Sequence, residues 1–363
     1  MVNKKLFESL QEIADMRGLE FEDLLVVLRD SLAACAKHAL PAGDDSTIVI
    51  DFNVDGSEYH IYKQHKVVET LSDNLEDGAM AEITLEDAKK IKRTAKIGDI
   101  VSEEMNPKDE EFTRSVIRSV LSTFKSNLKN LERQKSFEYF KKFENEMVNA
   151  DVVAKNDRFL TLSLGMGVTT ILPVKELLPN DAFEVGDRIK VYVKEVEKTT
   201  KDPKIKVSRT DRNLITRLME EYIPEVKNGI IEIKGIARDA GSRTKIAVAS
   251  NDKNVDPIGS CVGEAGARIR EIVAALNNEQ IDLYAWSEDP EELIAASLQP
   301  SKVTKVTNID PINKSCLAIV PDNQLSLAIG KNGQNVRLAV QSCGWKIDIK
   351  PSSTAKEELG VNF

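Results

Sequence analysis

The chain has 363 residues, too many for one ordinary hydrophobic core, so two to four domains are expected. Hydrophobic residues make up 41% and charged residues 30%, which excludes a disordered chain, and no run of about 18 apolar residues predicts a membrane span. The first residues lead into an acidic amphipathic segment rather than an apolar signal core, so a cytoplasmic protein is expected.

The formal net charge of −9 belongs mainly to the first third of the chain. Residues 1–110 contain 13 Lys and Arg against 24 Asp and Glu, whereas residues 111–210 contain 19 against 14 and residues 211–363 contain 18 against 21. An acidic segment holds nucleic acid poorly, so we expect the N-terminal part to bind a protein partner. Elsewhere, any phosphate contact must come from locally placed cations.

The N-terminal part is predicted to be an α+β domain. Apolar residues recur at helical spacing over 6–14 and 21–32, and Gly18 separates the two helices. A third helix over 83–95 is opened by Thr84 and Asp87, a capping-box pattern. A turn is predicted at 41–46, and Asp55-Gly56 is a hairpin signal between the first two strands. The four predicted strands are 47–52, 58–63, 66–70 and 96–101.

A long helix follows, because Phe112, Val116, Val120, Phe124 and Leu128 recur every four residues. Its other faces are basic. The pattern favours a connector helix that packs on the N-terminal sheet and exposes its basic side, over a helix that itself binds RNA. The basic residues are Arg114, Arg118, Lys125, Lys129 and Arg133.

Five short strands are predicted between residues 147 and 209, with a long insert before the fourth, which is typical of a small OB-type barrel. Such barrels bind single strands by stacking bases on aromatic side chains over a basic groove. Core packing explains each aromatic equally well. The predicted strands are 147–155, 159–164, 168–173, 188–196 and 204–209; the candidate residues are Phe159, Phe183, Tyr192, Lys155, Arg158, Arg188 and Lys190.

The cysteines and histidines predict no metal site and no cofactor. Cys35, Cys261, Cys316 and Cys343 stand singly in apolar surroundings, as reduced core thiols do. The three histidines have no partner at a metal-binding spacing.

Residues 229–350 contain one β–β–α–loop–α–β pattern twice. The first loop is Gly263-Glu264-Ala265-Gly266 and the second is Gly330-Lys331-Asn332-Gly333. From the first loop glycine to the isoleucine of the last strand is 18 residues in one copy and 17 in the other, which indicates a duplicated domain. Two ordinary glycine-containing corners remain the alternative.

The chemistry of these loops suits RNA. Glycine lets a sugar–phosphate backbone approach closely, and the N-terminus of the second helix favours a phosphate. Such a unit holds about four single-stranded nucleotides. Lys331 is predicted to contact phosphate directly, with Arg337 one turn further on.

Residues 325–339 closely resemble the second KH domain of the bacterial NusA family of transcription termination/antitermination proteins. Residues 243–248 and 255–263 resemble its first KH domain, and short matches at residues 67–69, 97–99 and 208–210 extend the likeness over nearly the whole chain. The resemblance implies a multidomain α+β fold: an N-terminal α+β domain, a five-stranded OB-type (S1) β-barrel and two tandem type II KH domains.

The implied domains are a polymerase-binding domain at 1–125 with a connector helix to about 146, an S1 domain at 147–210, KH domains at 211–289 and 290–351, and a short tail at 352–363. The resemblance implies binding to nascent RNA, to the RNA polymerase core and to other Nus factors, with no catalysed reaction, and a monomer is expected. The candidate RNA contacts are Gly263, Glu264, Ala265, Gly266, Arg268, Gly330, Lys331, Asn332, Gly333, Gln334, Asn335, Arg337, Phe159, Arg188 and Lys190.

Three features depart from the family pattern. Glu264-Ala265 stands where a basic residue is usual, and Arg268 is the candidate that compensates; Asn149 replaces a common S1 glycine. The acidic repeats that follow the second KH domain in some relatives are absent, so no regulation through such a tail is expected.

Two alternatives remain. An RNA-processing enzyme with accessory KH and S1 domains would need a catalytic motif, and residues 1–146 contain none that is clear. A ribosome-associated protein would usually be basic throughout, whereas this chain is acidic.

Overall fold

The structure, a computed structural model, describes residues 4–39, 47–55, 58–72, 80–105, 114–199 and 201–359. The chain divides into two units, Met1–Lys135 and Ser136–Phe363. Within the described ranges, no helix combines the length and the apolar character that crossing a membrane requires.

The first unit contains helices packed beside a four-stranded sheet. Strand β2 is central: it pairs antiparallel with β1 and β4 and parallel with β3. The α+β prediction for this part is confirmed. The elements are α1 (Lys4–Arg17), α2 (Phe21–Ala39), β1 (Thr47–Asn53), β2 (Glu58–Val68), β3 (Glu82–Thr84), α3 (Leu85–Ile91), β4 (Ile100–Met105) and α4 (Arg114–Lys141).

Local signals explain most of these boundaries. Gly18 ends the first helix with a positive φ of 62°, which favours glycine. Thr84 caps α3, because its hydroxyl accepts a hydrogen bond from the Asp87 amide. The strands predicted at 58–63 and 66–70 form one continuous strand. The turn predicted at 41–46 and residue Gly56 lie outside the described residues.

Helix α4 packs on helices rather than mainly on the sheet, which corrects the prediction. Leu128 is buried in a cluster with Phe7, Leu10 and Leu24 from α1 and α2. The cysteine thiol of α2 also contacts the hydroxyl of Ser119 on α4. The exposed basic residues of α4 are Arg118, Lys125 and Lys129.

The second unit begins with a five-stranded antiparallel barrel in the strand order β7-β6-β5-β8-β9. The Thr170 hydroxyl donates a hydrogen bond to the Ile205 carbonyl and so joins the two edge strands. The predicted five-stranded OB-type barrel is confirmed. Its strands are β5 (Met147–Lys155), β6 (Phe159–Ser163), β7 (Thr169–Pro173), β8 (Arg188–Glu197) and β9 (Lys204–Ser208).

Two KH units follow with the same topology. In each, a three-stranded sheet joins one antiparallel and one parallel pair. The first comprises α5 (Asn213–Tyr222), α6 (Pro224–Lys227), β10 (Ile231–Asp239), β11 (Arg243–Ser250), α7 (Pro257–Val262), α8 (Ala267–Ala275) and β12 (Gln280–Ala285). The second comprises α9 (Pro290–Ser297), β13 (Lys305–Asp310), β14 (Ser315–Val320), α10 (Leu325–Ile329), α11 (Gln334–Cys343) and β15 (Lys346–Pro351), and α12 (Ser352–Leu359) follows.

The helices that open the two KH units were not predicted. With α5 and α9 included, and with the one-turn helix α6 counted together with α5, each KH unit has the order α–β–β–α–α–β, and the type II assignment is confirmed. Helix α5 buries Leu214, Ile215, Leu218 and Met219 in the core of the first KH unit.

A buried ion pair joins the barrel to the first KH unit. Arg209 donates to both carboxylate oxygens of Asp181 at 2.7 and 3.1 Å, and the two side chains are 1% and 0% exposed. The same guanidinium donates to the backbone carbonyls of Lys190 and Ala275, the latter on α8. Its Cζ atom also lies 4.9 Å from the centre of the Phe183 ring. All the guanidinium contacts are therefore made inside the protein.

The two KH units are joined by a second buried contact. The Lys245 ammonium, 1% exposed, donates to the Gln299 carbonyl at 2.7 Å. The Tyr284 hydroxyl donates to Ser342 Oγ at 2.9 Å. Gly235 on β10 lies against the Ser342 backbone so closely that an added Cβ would be 2.0 Å from the carbonyl oxygen. The junction is therefore packed without space for a larger side chain.

Replacing Lys245 by methionine is expected to change how stability depends on pH. Burial lowers the pKa of Lys245 to about 8, against a smaller opposing effect of Asp282. Between that pH and about 10.5 the unfolded chain binds more protons at this position, so the free energy of unfolding rises with pH. Relative to Lys245→Met, the wild type should gain about 2 kcal/mol between pH 7 and 9.5, as measured by urea unfolding. Parallel pH curves would contradict this, and the exposed Lys253→Met variant is the control.

Candidate nucleic-acid interface

The two glycine loops have nearly the same backbone conformation. Gly263 and Gly330 have φ, ψ of 74°, 176° and 76°, 171°. The third loop residues, Ala265 and Asn332, lie in the left-handed region at 48°, 26° and 53°, 30°. The last glycines have φ of 77° and 73°. Agreement at these three positions supports one shared task for both loops over two unrelated corners.

The first glycine of each loop is required because the helix that follows the loop, α8 or α11, lies directly over it. A Cβ on Gly330 would be 2.7 Å from the Asn335 amide nitrogen, and one on Gly263 would be 2.8 Å from Arg268 Cγ. Both glycines also have positive φ, which other residues adopt at a cost. Ala265 lacks the side chain that lets Asn332 tolerate this region, so the first loop carries backbone strain of about 1 kcal/mol.

Arg268 and Asn335 occupy equivalent positions, and both support their loop from beneath. Arg268 donates to the Ser260 carbonyl at 2.7 Å and pairs with Glu225 at 2.8 Å. Asn335 is 4% exposed and donates to the Leu298 and Ala328 carbonyls at 3.0 Å. Asn335 is therefore buried beneath its loop, which corrects the prediction that it contacts RNA. The Arg268 side chain is 34% exposed and makes both contacts through Nη1, so its contact with RNA stays a prediction. The Glu225 carboxylate balances the Arg268 charge, which weakens the suggested compensation by Arg268.

The second loop lies beside the hairpin of the first KH unit. Lys331 and Asn332 are exposed. Gln334 donates to Asp239 at 2.8 Å and to Ser242 Oγ at 2.9 Å, and Arg337 forms an ion pair with Asp239. Gln334 and Arg337 therefore serve the contact between the two units, and Lys331 is the exposed cation within the loop itself.

Sequence reasoning missed Arg270. It follows the last glycine of the first loop, Gly266, at the same distance in sequence as Arg337 follows Gly333 in the second KH unit. Its side chain is exposed, and its Nη1 lies 3.9 Å from where a Cβ on Gly266 would be. Aligning the two loops residue by residue would have identified it.

The barrel does not bring its three predicted contacts together. Phe159 pairs with Pro173 at one end of β6, whereas Arg188 pairs with Asp151, which faces Ser163 at the other end. Four residues along a strand separate them by about 13 Å. Phe159 is half-buried and remains available for stacking. The other candidate aromatics are not: Tyr192 is 3% exposed in the core, and Phe183 lies beneath Arg209.

Lys190 lies in a cleft of about 350 Å³ between the barrel and α5. Its ammonium pairs with Glu221 and lies 5.1 Å from the centre of the Tyr222 ring. Arg217 in the same cleft pairs with Glu220. Lys190 and Arg217 are thus neutralised from within the protein, so Lys190 does not offer an RNA phosphate the free charge that the sequence predicted. The exposed Lys227 also lines this cleft.

Comparison with known proteins gives the same domain order. Four family profiles match: NusA N-terminal domain over residues 5–134, S1 RNA binding domain over 141–208, NusA-like first KH domain over 209–286 and NusA-like second KH domain over 290–357. The transcription termination/antitermination protein NusA of Halalkalibacterium halodurans is 38% identical over 99% of this chain and 91% of its own length. The chain belongs to the NusA family.

Other NusA proteins show the same extent of likeness. The protein of Bacillus subtilis is 38% identical over 99% of this chain and 94% of its own length, and that of Thermus thermophilus is 33% identical over 95% and 89%. The NusA resemblance predicted from the loops is thus confirmed along the whole chain. The two KH loops and the barrel are therefore parts of a NusA-type array.

The cysteines of this NusA-family chain are free and buried, as predicted. Burial raises the pKa of Cys261 and of Cys316 to about 12, and it also raises the pKa of Cys343. Among the described residues, no group of three or more His, Cys, Asp and Glu is placed to hold a metal ion. His60 pairs with Glu104 at 2.6 Å on the sheet surface of the first unit.

Proposed function

We propose that this chain is a transcription elongation factor that binds RNA polymerase and nascent RNA and modulates pausing, termination and antitermination. The observation that carries the proposal is the pair of loops with matching backbone angles, Gly263 to Gly266 and Gly330 to Gly333, in consecutive KH units after an S1 barrel. The NusA proteins that it resembles are named for termination and antitermination.

The geometry supports binding of single-stranded RNA. The glycines allow close approach of the sugar–phosphate backbone, and the helix that follows each loop presents its N-terminus there. A KH unit holds about four nucleotides, so the pair would hold about eight. The S1 barrel adds Phe159 as a candidate stacking residue, with Arg158 exposed beside it.

The first unit supports a different partner. The excess of acidic residues over 1–110 opposes RNA binding and suits a protein surface, for which we propose the RNA polymerase core. Other Nus factors are further proposed partners. We propose that the protein acts by binding, without catalysis, as a monomer in the cytoplasm.

Replacing Lys331 and Asn332 together by aspartate is expected to weaken binding of single-stranded RNA about tenfold or more at moderate salt. The change removes the exposed cation of the second loop and places two negative charges against phosphate. Affinity is measured by fluorescence anisotropy with an unstructured RNA of 10 to 12 nucleotides.

The matched control is Lys129→Asp with Asn130→Asp, the same pair of residues exposed on α4. It should leave affinity unchanged if the KH array binds the RNA. Weakening by the control alone would instead assign RNA binding to α4 and sink the role of the second loop.

Polymerase binding is tested by recovering the tagged full chain from an RNase-treated bacterial lysate. Recovery of core polymerase supports the proposal, and recovery of ribosomal proteins instead would favour an accessory role in the ribosome. An in vitro transcription assay then compares pause lifetimes with the wild type and the Lys331/Asn332 variant. No change in any pause lifetime by the wild type would refute modulation of pausing.

A further inference from the structure

The first KH loop lacks a cation of its own. Glu264 occupies the position of Lys331 and is exposed, so it repels phosphate. Arg268, the nearest arginine in sequence, is held by Glu225 and the Ser260 carbonyl. If this loop binds RNA as the second one does, the positive charge must come from another residue.

Arg270 has the right position. It lies in the first turn of α8, and outside the neighbouring residues of Gly266 its Nη1 is the closest atom to the place where a Cβ on Gly266 would stand. The side chain therefore folds back toward the last loop residue, where the N-terminus of α8 also favours an anion. A guanidinium presents several donors in one plane, which suits two phosphate oxygens.

The second KH unit places the cations around its loop differently from the first KH unit. There the equivalent Arg337 is occupied by Asp239, and the loop supplies Lys331. In the first KH unit the loop supplies Glu264, and Arg270 makes no ion pair or hydrogen bond with any residue that the structure describes. Each KH unit thus has one cation without an ion pair at its loop. In the second KH unit this cation, Lys331, precedes the last loop glycine, and in the first KH unit it is Arg270, which follows that glycine.

We propose that Arg270 holds an RNA phosphate at the first KH loop, in the role that Lys331 has at the second. This rests on the proposed RNA-binding function and assigns a residue to it. Glu264 then lowers the affinity of the first loop, and Arg270 restores it from the helix. RNA that crosses both KH units is bound by a helix arginine in the first and by a loop lysine in the second.

The test measures the binding of a 10 to 12 nucleotide unstructured RNA by the full chain across a salt series. Arg270→Ala is expected to weaken binding about three- to tenfold and to lower the slope of log affinity against log salt by about 0.7, the value for one phosphate contact with a single strand. Arg270→Lys should retain most of the slope. Adding Glu264→Lys to Arg270→Ala should restore both the affinity and the salt slope, because it returns a cation to the loop.

Arg212→Ala is the control: it removes the same charge from an exposed position before α5, outside the two helices that flank the loop. Equal effects of Arg270→Ala and Arg212→Ala would overturn the proposal. If Lys331 and Asn332 replacement still weakens binding in that case, the proposed function stands without Arg270. If neither loop variant changes binding, the proposed function itself fails. Thermal unfolding of each variant checks that the exposed substitutions leave the fold intact.

Discussion

Replacing Arg209 by alanine is expected to lower the free energy of unfolding of the second unit by about 3–5 kcal/mol. The substitution leaves the Asp181 carboxylate, 0% exposed, without its bidentate partner. It also leaves the Lys190 and Ala275 carbonyls without the donors that Arg209 supplies. A buried charge that loses its partner costs far more than an exposed one, because water cannot replace the lost interaction.

Urea unfolding of the full chain, followed by a probe in the second unit, measures this loss. The exposed Arg158→Ala is the control and should change stability by less than about 0.5 kcal/mol. Arg209→Met combined with Asp181→Leu removes both charges and should be clearly more stable than Arg209→Ala alone. A single substitution that costs no more than the control would show that this ion pair does not join the barrel to the KH unit.

Replacing Gly235 by alanine is expected to cost about 2–3 kcal/mol and to weaken binding of RNA that spans both KH loops. The new Cβ would stand 2.0 Å from the Ser342 carbonyl oxygen, which belongs to the backbone of α11 and has no rotamer that could relieve the clash. Strand β10 or helix α11 must therefore move. The Asp239 contacts of Gln334 and Arg337 would shift with them.

Two measurements separate this effect from general destabilisation. Thermal unfolding reports the stability loss, with the exposed Glu232→Ala on the same strand as control. Affinity is then compared for RNA of about four and about eight nucleotides, below the unfolding temperature. A variant that binds the longer RNA as tightly as the wild type would show that register between the two KH loops does not depend on this contact.

The sequence could predict the elements whose signals are local. The five barrel strands, the α7–loop–α8 corner and its repeat were all found, because alternation, glycine pairs and spacing are properties of neighbouring residues. Signals for the missed helices were also present. Asp289 caps α9 and Pro290 occupies its first turn, while Leu214 and Leu218 recur at helical spacing in α5.

Contacts between distant segments could not be predicted in this way. Arg268 and Arg270 are both arginines after a loop glycine, and only the fold shows that one meets Glu225 while the other lies exposed beside Gly266. Lys190 likewise appeared as a groove cation until Glu221, 31 residues further on, was placed against it. Charge patterns predict that cations exist, whereas their partners depend on tertiary packing.

The burial of the thiols makes the chain well suited to site-specific labelling. Cys35, Cys261, Cys316 and Cys343 are each no more than 5% exposed, and thiol reagents react with an accessible thiolate. The raised pKa of Cys261 and of Cys316 further suppresses their thiolate form near neutral pH. A cysteine introduced at exposed Glu264 would therefore carry a fluorophore beside the first loop with little background, and could report directly on RNA arriving there.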